Sequence, residues 1–317
     1  MNQPSYTRLV FMGTPDFAVP SLQALLDAGE EVLAVYTQPD RPKGRGQKLA
    51  YSPVREKALA HHLPVFQPPS FKETGAVDRL AALKADLLIV VAYGLILPKA
   101  VLNLPTWGAV NVHASLLPKY RGAAPIQWAV INREKETGIT TMRLDPGMDT
   151  GDMLLQETEP IRETDTAQSL HDRLAGKGAQ LLRRTLERLR EGRLLPQPQD
   201  HSLATYAPPL KKEAGEISWG GTAEEIDGRI RGMTPWPRAF TFLKGKRLII
   251  HRAVLDSSEI QGRPGTIYSL EKDRIRVHTG QGLLALLEVQ QEGHKKMSAA
   301  DLVRGLSLPV GERLGRG

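Results

Sequence analysis

The N-terminal part of the chain alternates apolar runs of strand length with a helical segment, and this alternation restricts the possible folds more than any other feature. The segments at 8–12 and 31–37 each have the length and apolar composition of a β-strand. Between them leucines recur at helical spacing until Gly29, and glycine commonly follows the last turn of a helix. A strand, a helix and a second strand at this spacing predict a βαβ unit, and therefore a parallel sheet.

A polar pair lies on a later strand of the same predicted sheet. The near-continuous apolar run at 86–92, DLLIVVA, predicts a central strand that is buried on both faces. The stretch at 108–125, GAVNVHASLLPKYRGAAP, then opens with alternating residues. Because strand side chains alternate between faces, Asn111 and His113 project from one face. The strand breaks at Ser115, so both lie near its carboxyl end, where open α/β sheets bind ligands.

The residue types at this edge suit chemistry at a carbonyl group. An amide and an imidazole side by side can donate hydrogen bonds to negative charge that develops on a carbonyl oxygen. The sequence MRLDPGMDTGDM follows another strand-like run and contains Asp149, and a carboxylate near a histidine orients the ring and favours its charged form. An Asn-x-His sequence is also typical of a hydrogen-bonded pair with no catalytic role, and such loops are commonly only turns. Both interpretations stay open on these residues alone.

Composition and missing motifs exclude several classes of protein. The chain has no cysteine, which excludes disulfides, thiolate nucleophiles and zinc sites that use cysteine. Neither a G-x-G-x-x-G fingerprint nor a Walker lysine follows the first strand, which argues against a nicotinamide or ATP site there. With 317 residues, 41% hydrophobic and 24% charged, the chain is long enough for two globular domains. Because neither a targeting peptide nor an uninterrupted apolar stretch of membrane-spanning length is readable, we expect a cytoplasmic protein.

The C-terminal part of the chain has a different organisation. The range 193–209 contains four prolines and little periodicity, which predicts a linker. Beyond it, Thr222 and Glu225 have the spacing of a capping box that opens a helix, and five short strand-like runs predict a small barrel. From Arg193 onwards 19 basic residues stand against 14 acidic ones, a net charge of +5. This excess suits a polyanionic partner such as RNA, or is a solvated basic surface without a partner.

A second basic stretch lies at 38–53, QPDRPKGRGQKLAYSP. Its prolines, glycines and four basic residues predict a long loop that leaves the second strand. Such a loop could contact phosphates, although a charge run of this kind is more often a solvated surface. At its end Ser52 and Pro53 have the residue types of a helix N-cap and first helical position. Further along the chain, Asp165 is predicted to cap a long helix with a leucine stripe.

Several motifs, in order, give the chain a resemblance to a known family. The sequence NVHASLLPKYRGAAP followed by DPGMDTGD resembles the signature of the 10-formyltetrahydrofolate-dependent formyltransferases. FMGTPDFAVPSL, QPDRPKGRGQKL, PLKKEAGEISW and GMTPWPRAF match the family in the same order, so the resemblance spans nearly the whole chain. It implies an α/β protein: a Rossmann-like parallel-sheet catalytic domain at 1–192, a linker at 193–209, and a smaller OB-like β-barrel domain at 210–317 that binds tRNA.

The resemblance also implies a reaction. The formyl group of 10-formyltetrahydrofolate would pass to the α-amino group of initiator methionyl-tRNA, giving the N-formylmethionyl-tRNA used in translation initiation. The amine would attack the formyl carbon directly and form a tetrahedral oxyanion. Asn111 and His113 would then donate to that oxygen, while Asp149 would keep His113 charged and accept the proton that the amine loses.

Binding residues follow from the same resemblance. Ser115, Leu116, Leu117 and Pro118 would line the site of the folate co-substrate, through backbone groups and apolar side chains. Arg45, Lys211 and Lys212 would contact the tRNA, and no metal is expected. The chain departs from the family pattern at Pro209, where a lysine is usual, and at Ser218, where an aspartate is usual.

Other interpretations remain at this point. The nearest is another folate-dependent enzyme that formylates glycinamide ribonucleotide or a sugar nucleotide, or that hydrolyses 10-formyltetrahydrofolate. The basic stretch at 38–53 and the basic C-terminal part argue against these. A non-catalytic RNA-binding protein on the same core is a further alternative, against which the intact Asn, His and Asp set argues.

Overall fold

The computed structural model of the chain describes residues 8–43, 48–256, 260 and 262–316, and the chain forms two compact units. The first unit is built from the residues up to Gly122 together with Thr137–Pro160 and His171–Ala207. The second is built from Ala123–Glu136, Ile161–Leu170 and the residues from Pro208 onwards. The chain therefore passes between the units more than once before the segment predicted as a linker. The domain boundaries at 192 and 209 stay a prediction.

The elements are named in chain order. The strands are β1 Arg8–Gly13, β2 Glu31–Tyr36, β3 Arg41–Lys43, β4 Lys48–Ala50, β5 Val65–Phe66, β6 Leu87–Val91, β7 Ala109–His113, β8 Glu136–Arg143, β9 Met153–Pro160, β10 Ala239–Leu243, β11 Lys246–Leu255, β12 Ile267–Leu270, β13 Ile275–His278, β14 Leu283–Gln291 and β15 Met297–Ser298. The helices are α1 Val19–Asp27, α2 Pro53–Ala60, α3 Ala76–Ala82, α4 Lys99–Leu102, α5 Pro125–Ile131, α6 Ala167–Arg190, α7 Ala223–Gly232 and α8 Ala299–Leu306.

The first unit contains a seven-stranded sheet with strand order β5-β2-β1-β6-β7-β8-β9. Neighbours from β5 to β7 are parallel, and β8 pairs with β7 in the antiparallel direction. Every residue of β6 and β7 is buried; β6 is wholly apolar, as expected of a central strand, whereas β7 buries Asn111 and His113 among apolar residues. Because β2 and β6 lie on opposite sides of β1, the strand order reverses there, which is where open sheets bind ligands. The predicted Rossmann-like parallel sheet is confirmed.

The basic stretch at 38–53 is not wholly a loop. Strands β3 and β4 lie within it and pair in the antiparallel direction. Arg45, the predicted tRNA contact, lies outside the described residues. At the end of the stretch the Ser52 hydroxyl accepts from the backbone N–H of Arg55 at 3.1 Å, so the predicted N-cap of α2 is confirmed.

The start of the long helix α6 differs from the prediction by one residue. The helix begins at Ala167, and the Thr166 hydroxyl accepts from the backbone N–H of Ser169 at 3.2 Å. Thr166 is therefore the N-cap. The predicted cap, Asp165, lies one residue too early, and its carboxylate accepts from the Ser169 hydroxyl at 2.8 Å instead.

The second unit contains an antiparallel sheet with strand order β10-β11-β14-β13-β12, and β15 pairs with β14. Residues near the C-terminus join its two edges. The N–H of Gly315 donates to the carbonyl of Phe242 on β10 at 2.9 Å, and the N–H of Leu314 donates to the carbonyl of Gly265, just before β12, at 2.7 Å. These bonds close the sheet into a small barrel around an apolar core, as predicted. Helix α7 begins at the predicted capping box.

Candidate active site

Strand β7 carries Asn111 and His113 at the carboxyl edge of the first unit's sheet, as the alternation of residues predicted. Asn111 is paired in register with Val90 of β6, and His113 with Thr140 of β8. Both side chains are largely buried, with exposed fractions of 8% and 6%. The amide of Asn111 and the imidazole of His113 therefore lie where water is mostly excluded, which strengthens their electrostatic interactions.

Both ring nitrogens of His113 face a defined neighbour. Nε2 lies 3.0 Å from the carbonyl oxygen of Tyr120, and because a carbonyl only accepts, Nε2 carries a hydrogen. Nδ1 lies 3.7 Å from Oδ1 of Asp149, which is close enough for an ion pair but too long for a hydrogen bond. The Asp149 carboxylate therefore lies next to the ring nitrogen that the Tyr120 carbonyl does not contact.

The loop between β8 and β9 holds Asp149 in an uncommon backbone conformation. Its φ of 53° lies in the left-handed region, which costs energy for a residue other than glycine. The backbone N–H of Gly122 donates to Oδ2 of Asp149 at 2.8 Å. Elsewhere in the loop Asp145 accepts from the N–H of Gly147 and from the Thr150 hydroxyl, which fixes the turn. The loop therefore presents the Asp149 carboxylate to His113 in a defined orientation.

The tetrapeptide predicted to bind folate directly follows β7. The Thr140 hydroxyl accepts from the N–H of Leu117 at 3.1 Å and donates to the carbonyl of Ser115 at 2.7 Å. These backbone groups are thus already bonded within the protein. Leu116 and Pro118 remain partly exposed. Apolar side-chain surface, more than the backbone of Leu117, is what this segment presents to a ligand.

A cleft of about 460 Å³ opens at the carboxyl ends of β1, β2 and β6. Thr14 lines it after β1, Gln38 after β2 and Tyr93 after β6. Among the described residues the Tyr93 hydroxyl has no hydrogen-bond partner. Burial, and after it the neighbouring Tyr36, raises the pKa of Tyr93 far above its ordinary value, so the hydroxyl stays neutral and able to donate. The strand that carries the Asn and His pair, β7, lies directly beside β6.

Three contacts at the site were not predicted from the sequence. The Tyr120 carbonyl receives the His113 hydrogen bond. Gln156 Nε2 donates to the carbonyl of Leu117 at 2.9 Å, across 39 residues of chain. Gln199 Nε2 donates to the carbonyl of Asp149 at 2.9 Å, across 50 residues. Only Tyr120 lies in a motif, and no local pattern marks the two glutamines.

The predicted tRNA-binding lysines belong to the second unit. Lys211 and Lys212 are exposed, and a short 3-10 turn at Lys212–Gly215 includes one of them. Their role stays a prediction. Over the part of the chain that the structure describes, no three carboxylate or imidazole groups gather as metal ligands. Nor does any described helix combine the length and apolarity needed to cross a membrane.

Comparison with known families agrees with this fold. Residues 7–186 match the formyl transferase family, and residues 209–307 match the formyl transferase C-terminal domain. The first match contains the whole Asn111, His113 and Asp149 cluster. The chain belongs to the formyl transferase family.

Within that family the chain is similar to proteins named methionyl-tRNA formyltransferase. The one from Alkaliphilus oremlandii is 51% identical over 97% of this chain and 99% of its own length. The one from Pelotomaculum thermopropionicum is 52% identical over 97% of this chain and 98% of its own length. Among solved structures, WlaRD, a sugar 3N-formyl transferase, has a TM-score of 0.67 at 19% identity and covers 92% of this chain and 100% of its own. At that identity the likeness concerns the fold.

Proposed function

We propose that the protein acts as a methionyl-tRNA formyltransferase, which transfers the formyl group of 10-formyltetrahydrofolate to the α-amino group of initiator methionyl-tRNA. The product, N-formylmethionyl-tRNA, serves translation initiation. The observation that carries the proposal is the 51% identity to an enzyme of that name over 97% of the chain, the C-terminal unit included. Protein synthesis places the enzyme in the cytoplasm.

Asn111 and His113 stabilise the charge that forms in the reaction. The neutral amine attacks the formyl carbon, and its oxygen becomes an oxyanion in a tetrahedral intermediate. His113 Nε2 is already bonded to Tyr120, so Nδ1 is the ring nitrogen left to donate to this oxygen beside the Asn111 amide. One such donor is worth roughly 3–4 kcal/mol in the transition state.

Asp149 accepts the proton that the attacking amine loses. As the new carbon–nitrogen bond forms, the attacking nitrogen loses a proton, which the Asp149 carboxylate accepts directly or through a water molecule. The oxyanion then collapses to a carbonyl as the bond from the formyl carbon to N10 of the folate breaks, and the proton taken from the amine passes from Asp149, directly or through water, to N10. The reaction needs no covalent bond to the enzyme, which agrees with a chain that has no cysteine.

Two further surfaces complete the proposal. The formyl donor lies against Ser115, Leu116, Leu117 and Pro118, where the partly exposed side chains of the second and fourth residues suit an apolar ring system. The tRNA is bound through Arg45, Lys211 and Lys212, whose charges suit phosphates. The domains that divide these tasks are those at 1–192 and 210–317.

A formylation assay tests the substrate. Purified protein is incubated with 10-formyltetrahydrofolate and, separately, with initiator methionyl-tRNA, glycinamide ribonucleotide and an amino-sugar nucleotide. We expect formyl transfer to the charged tRNA at a rate far above that with either small amine. Transfer to a small amine only, or release of formate without an acceptor, would overturn the proposal.

Two variants test the residues. His113→Ala and Asp149→Ala should each remove most turnover while leaving folate binding within roughly tenfold, because both groups act in the transition state. His61→Ala, which changes an exposed histidine of the same unit, is the control and should keep normal turnover. Near-normal turnover in either of the first two variants would refute the catalytic assignment.

A further inference from the structure

The segment Gln199–Ala207, here named the strap, follows helix α6 and lies against the loop that carries Asp149 and against Tyr120 and Arg121, which follow β7. We propose that the strap is a positioning element for catalysis, and that Gln199 is its principal residue. The inference rests on the proposed function, because it assigns a task to the surroundings of His113 and Asp149. Nothing in the sequence of the strap, which falls inside the predicted linker, indicates this task.

The side-chain amide of Gln199 connects the loop that carries Asp149 to Arg121. Its Nε2 donates to the carbonyl of Asp149 at 2.9 Å and to the carbonyl of Gly151 at 2.7 Å. Its Oε1 accepts from Nη2 of Arg121 at 2.6 Å and from Nε at 3.1 Å. The side chain is buried. Two donated and two accepted bonds satisfy the full capacity of an amide.

Arg121 determines which way the Gln199 amide points. Arg121 is 2% exposed, and its guanidinium can only donate, so the oxygen of Gln199 must face it and the nitrogen must face the loop. Nη2 of Arg121 also lies 3.1 Å from Nδ1 of His201, which therefore accepts. The strap thus contacts the side chain of Arg121 from Gln199 and His201, and Arg121 itself belongs to the segment that follows β7.

The other end of the strap holds the partner of the histidine. The Thr205 hydroxyl accepts from the backbone N–H of Tyr120 at 2.9 Å, and the Thr205 carbonyl accepts from the N–H of Arg121 at 2.9 Å. The carbonyl of Tyr120 in turn receives the hydrogen bond from Nε2 of His113. The strap therefore bonds both to the backbone of Asp149 and to the backbone of Tyr120, whose carbonyl contacts His113.

Such support matters because Asp149 has a left-handed backbone conformation, which costs energy for a residue other than glycine. Without the two bonds from Gln199, the loop can relax and the carboxylate moves away from His113. A displacement of about 1 Å at a reacting group can lower turnover by about a hundredfold. Glutamate at position 199 would not replace the amide, since it would set carboxylate oxygens against two carbonyl oxygens.

The test compares Gln199→Ala and Gln199→Glu with Gln197→Ala, a control whose exposed side chain lies just before the strap. Steady-state kinetics of formyl transfer give kcat and the KM for folate. Hydrogen exchange of the Gly122 amide, followed by NMR, reports directly on the Asp149 carboxylate, because that amide donates to Oδ2. Asp149→Ala gives the exchange rate expected when the carboxylate is absent.

We expect both Gln199 variants to lower kcat by about ten- to a hundredfold with the folate KM within about twofold. The Gly122 amide should exchange nearly as fast as in Asp149→Ala, whereas Gln197→Ala should change neither quantity. In the Asp149→Ala background, Gln199→Ala should lower kcat by less than about twofold more, because the two residues act as one unit.

An unchanged Gly122 exchange rate in Gln199→Glu would overturn the inference, whatever happens to kcat. So would a normal kcat in both variants, even with lower thermal stability, since that result means a structural role only. If Asp149→Ala keeps full turnover, the proposed function fails at that residue, while the exchange measurement still shows whether Gln199 holds the carboxylate. The two failures are therefore distinguishable.

Discussion

Asn111 and His113 are both buried at the carboxyl edge of the sheet, but they bring different chemical groups to it. His113 contacts the Tyr120 carbonyl through one ring nitrogen and faces Asp149 with the other, so its orientation is set by these neighbours. Asn111 lies two positions earlier on the same face and brings a neutral amide. In the proposed mechanism the amide adds no charge, so its contribution would depend on the direction of its N–H dipole.

Replacing Asn111 by alanine tests that contribution. Asn111→Ala should lower kcat by about a hundredfold with little change in either KM, because the amide donates mainly to the oxyanion of the transition state. Steady-state kinetics with 10-formyltetrahydrofolate and initiator methionyl-tRNA measure the effect. Asn103→Ala, at an exposed position after α4, is the control. A defect confined to KM would mean that Asn111 only binds substrate.

Among the secondary-structure elements, β9 and α6 are joined by a buried carboxylate. Glu159 on β9 accepts from Arg173 Nε at 2.7 Å and lies 3.1 Å from Lys177 Nζ, both on α6. Burial alone would raise the pKa of the Glu159 carboxyl, but the hydrogen bonds from Arg173 and Lys177 outweigh it and hold the pKa below its ordinary value. These contacts connect helix α6 to β9, the edge strand of the sheet.

The contacts of Glu159 with Arg173 and Lys177 predict that the free energy of unfolding depends on pH. The folded-state pKa of Glu159 lies below the unfolded value of about 4.3, so its contribution is present above that pH and is lost as the pH falls through the folded-state pKa. Glu159→Gln should lower the free energy of unfolding at pH 7 by about 2 kcal/mol, and the difference should shrink below about pH 4.3. Urea denaturation at several pH values measures it.

The matched control lies on the same helix. Glu187 forms an exposed pair with Arg183 at 3.6 Å, four residues apart. Exposed pairs contribute little, so Glu187→Gln should change the free energy of unfolding by less than about 0.5 kcal/mol at any pH. An equal effect of both substitutions would show that burial of Glu159 adds nothing.

Across the whole molecule, positive charge is concentrated towards the C-terminal part. The residues from Arg193 onwards carry a net charge of +5, against +2 for the residues before it. Salt releases such a surface from a polyanion, because each phosphate contact displaces a counterion. The salt dependence of tRNA binding therefore measures how many lysines and arginines contact the backbone.

The double substitution Lys211→Ala and Lys212→Ala should weaken tRNA binding. The slope of log K against log salt should become flatter by up to about two units, with kcat nearly unchanged at saturating tRNA. Filter binding at several salt concentrations measures the slope. Lys72→Ala with Lys99→Ala removes the same charge from exposed positions of the first unit and should leave it unchanged. Equal effects of the two double variants would indicate a general charge effect.

Arg45 should behave differently from these lysines. We expect the basic stretch at 38–53 to position the acceptor end of the tRNA, so Arg45→Ala should lower kcat as well as binding, by up to about a hundredfold. Single-turnover rates at saturating tRNA measure this. An effect on folate binding with none on tRNA would contradict the assignment.

The sequence by itself determined the parts of the protein that depend on local patterns. The βαβ unit at 8–37 predicted the parallel sheet, and the alternation at 109–113 placed Asn111 and His113 on one face. The caps at Ser52 and Thr222 were predicted from residue type, because a capping side chain reaches only three residues along the chain. The single motif at 111–125 also contains Tyr120, but nothing in it indicates that the Tyr120 carbonyl would meet the histidine.

Tertiary structure alone decided how the proposed catalytic groups are held and how the barrel closes. Gln156 and Gln199 bond to backbone carbonyls 39 and 50 residues away, and the bonds that close the barrel near Leu314 are also between backbone groups. Every residue carries a backbone carbonyl, so a residue type cannot mark which one a distant side chain will reach. Only the folded path of the chain brings donor and acceptor together.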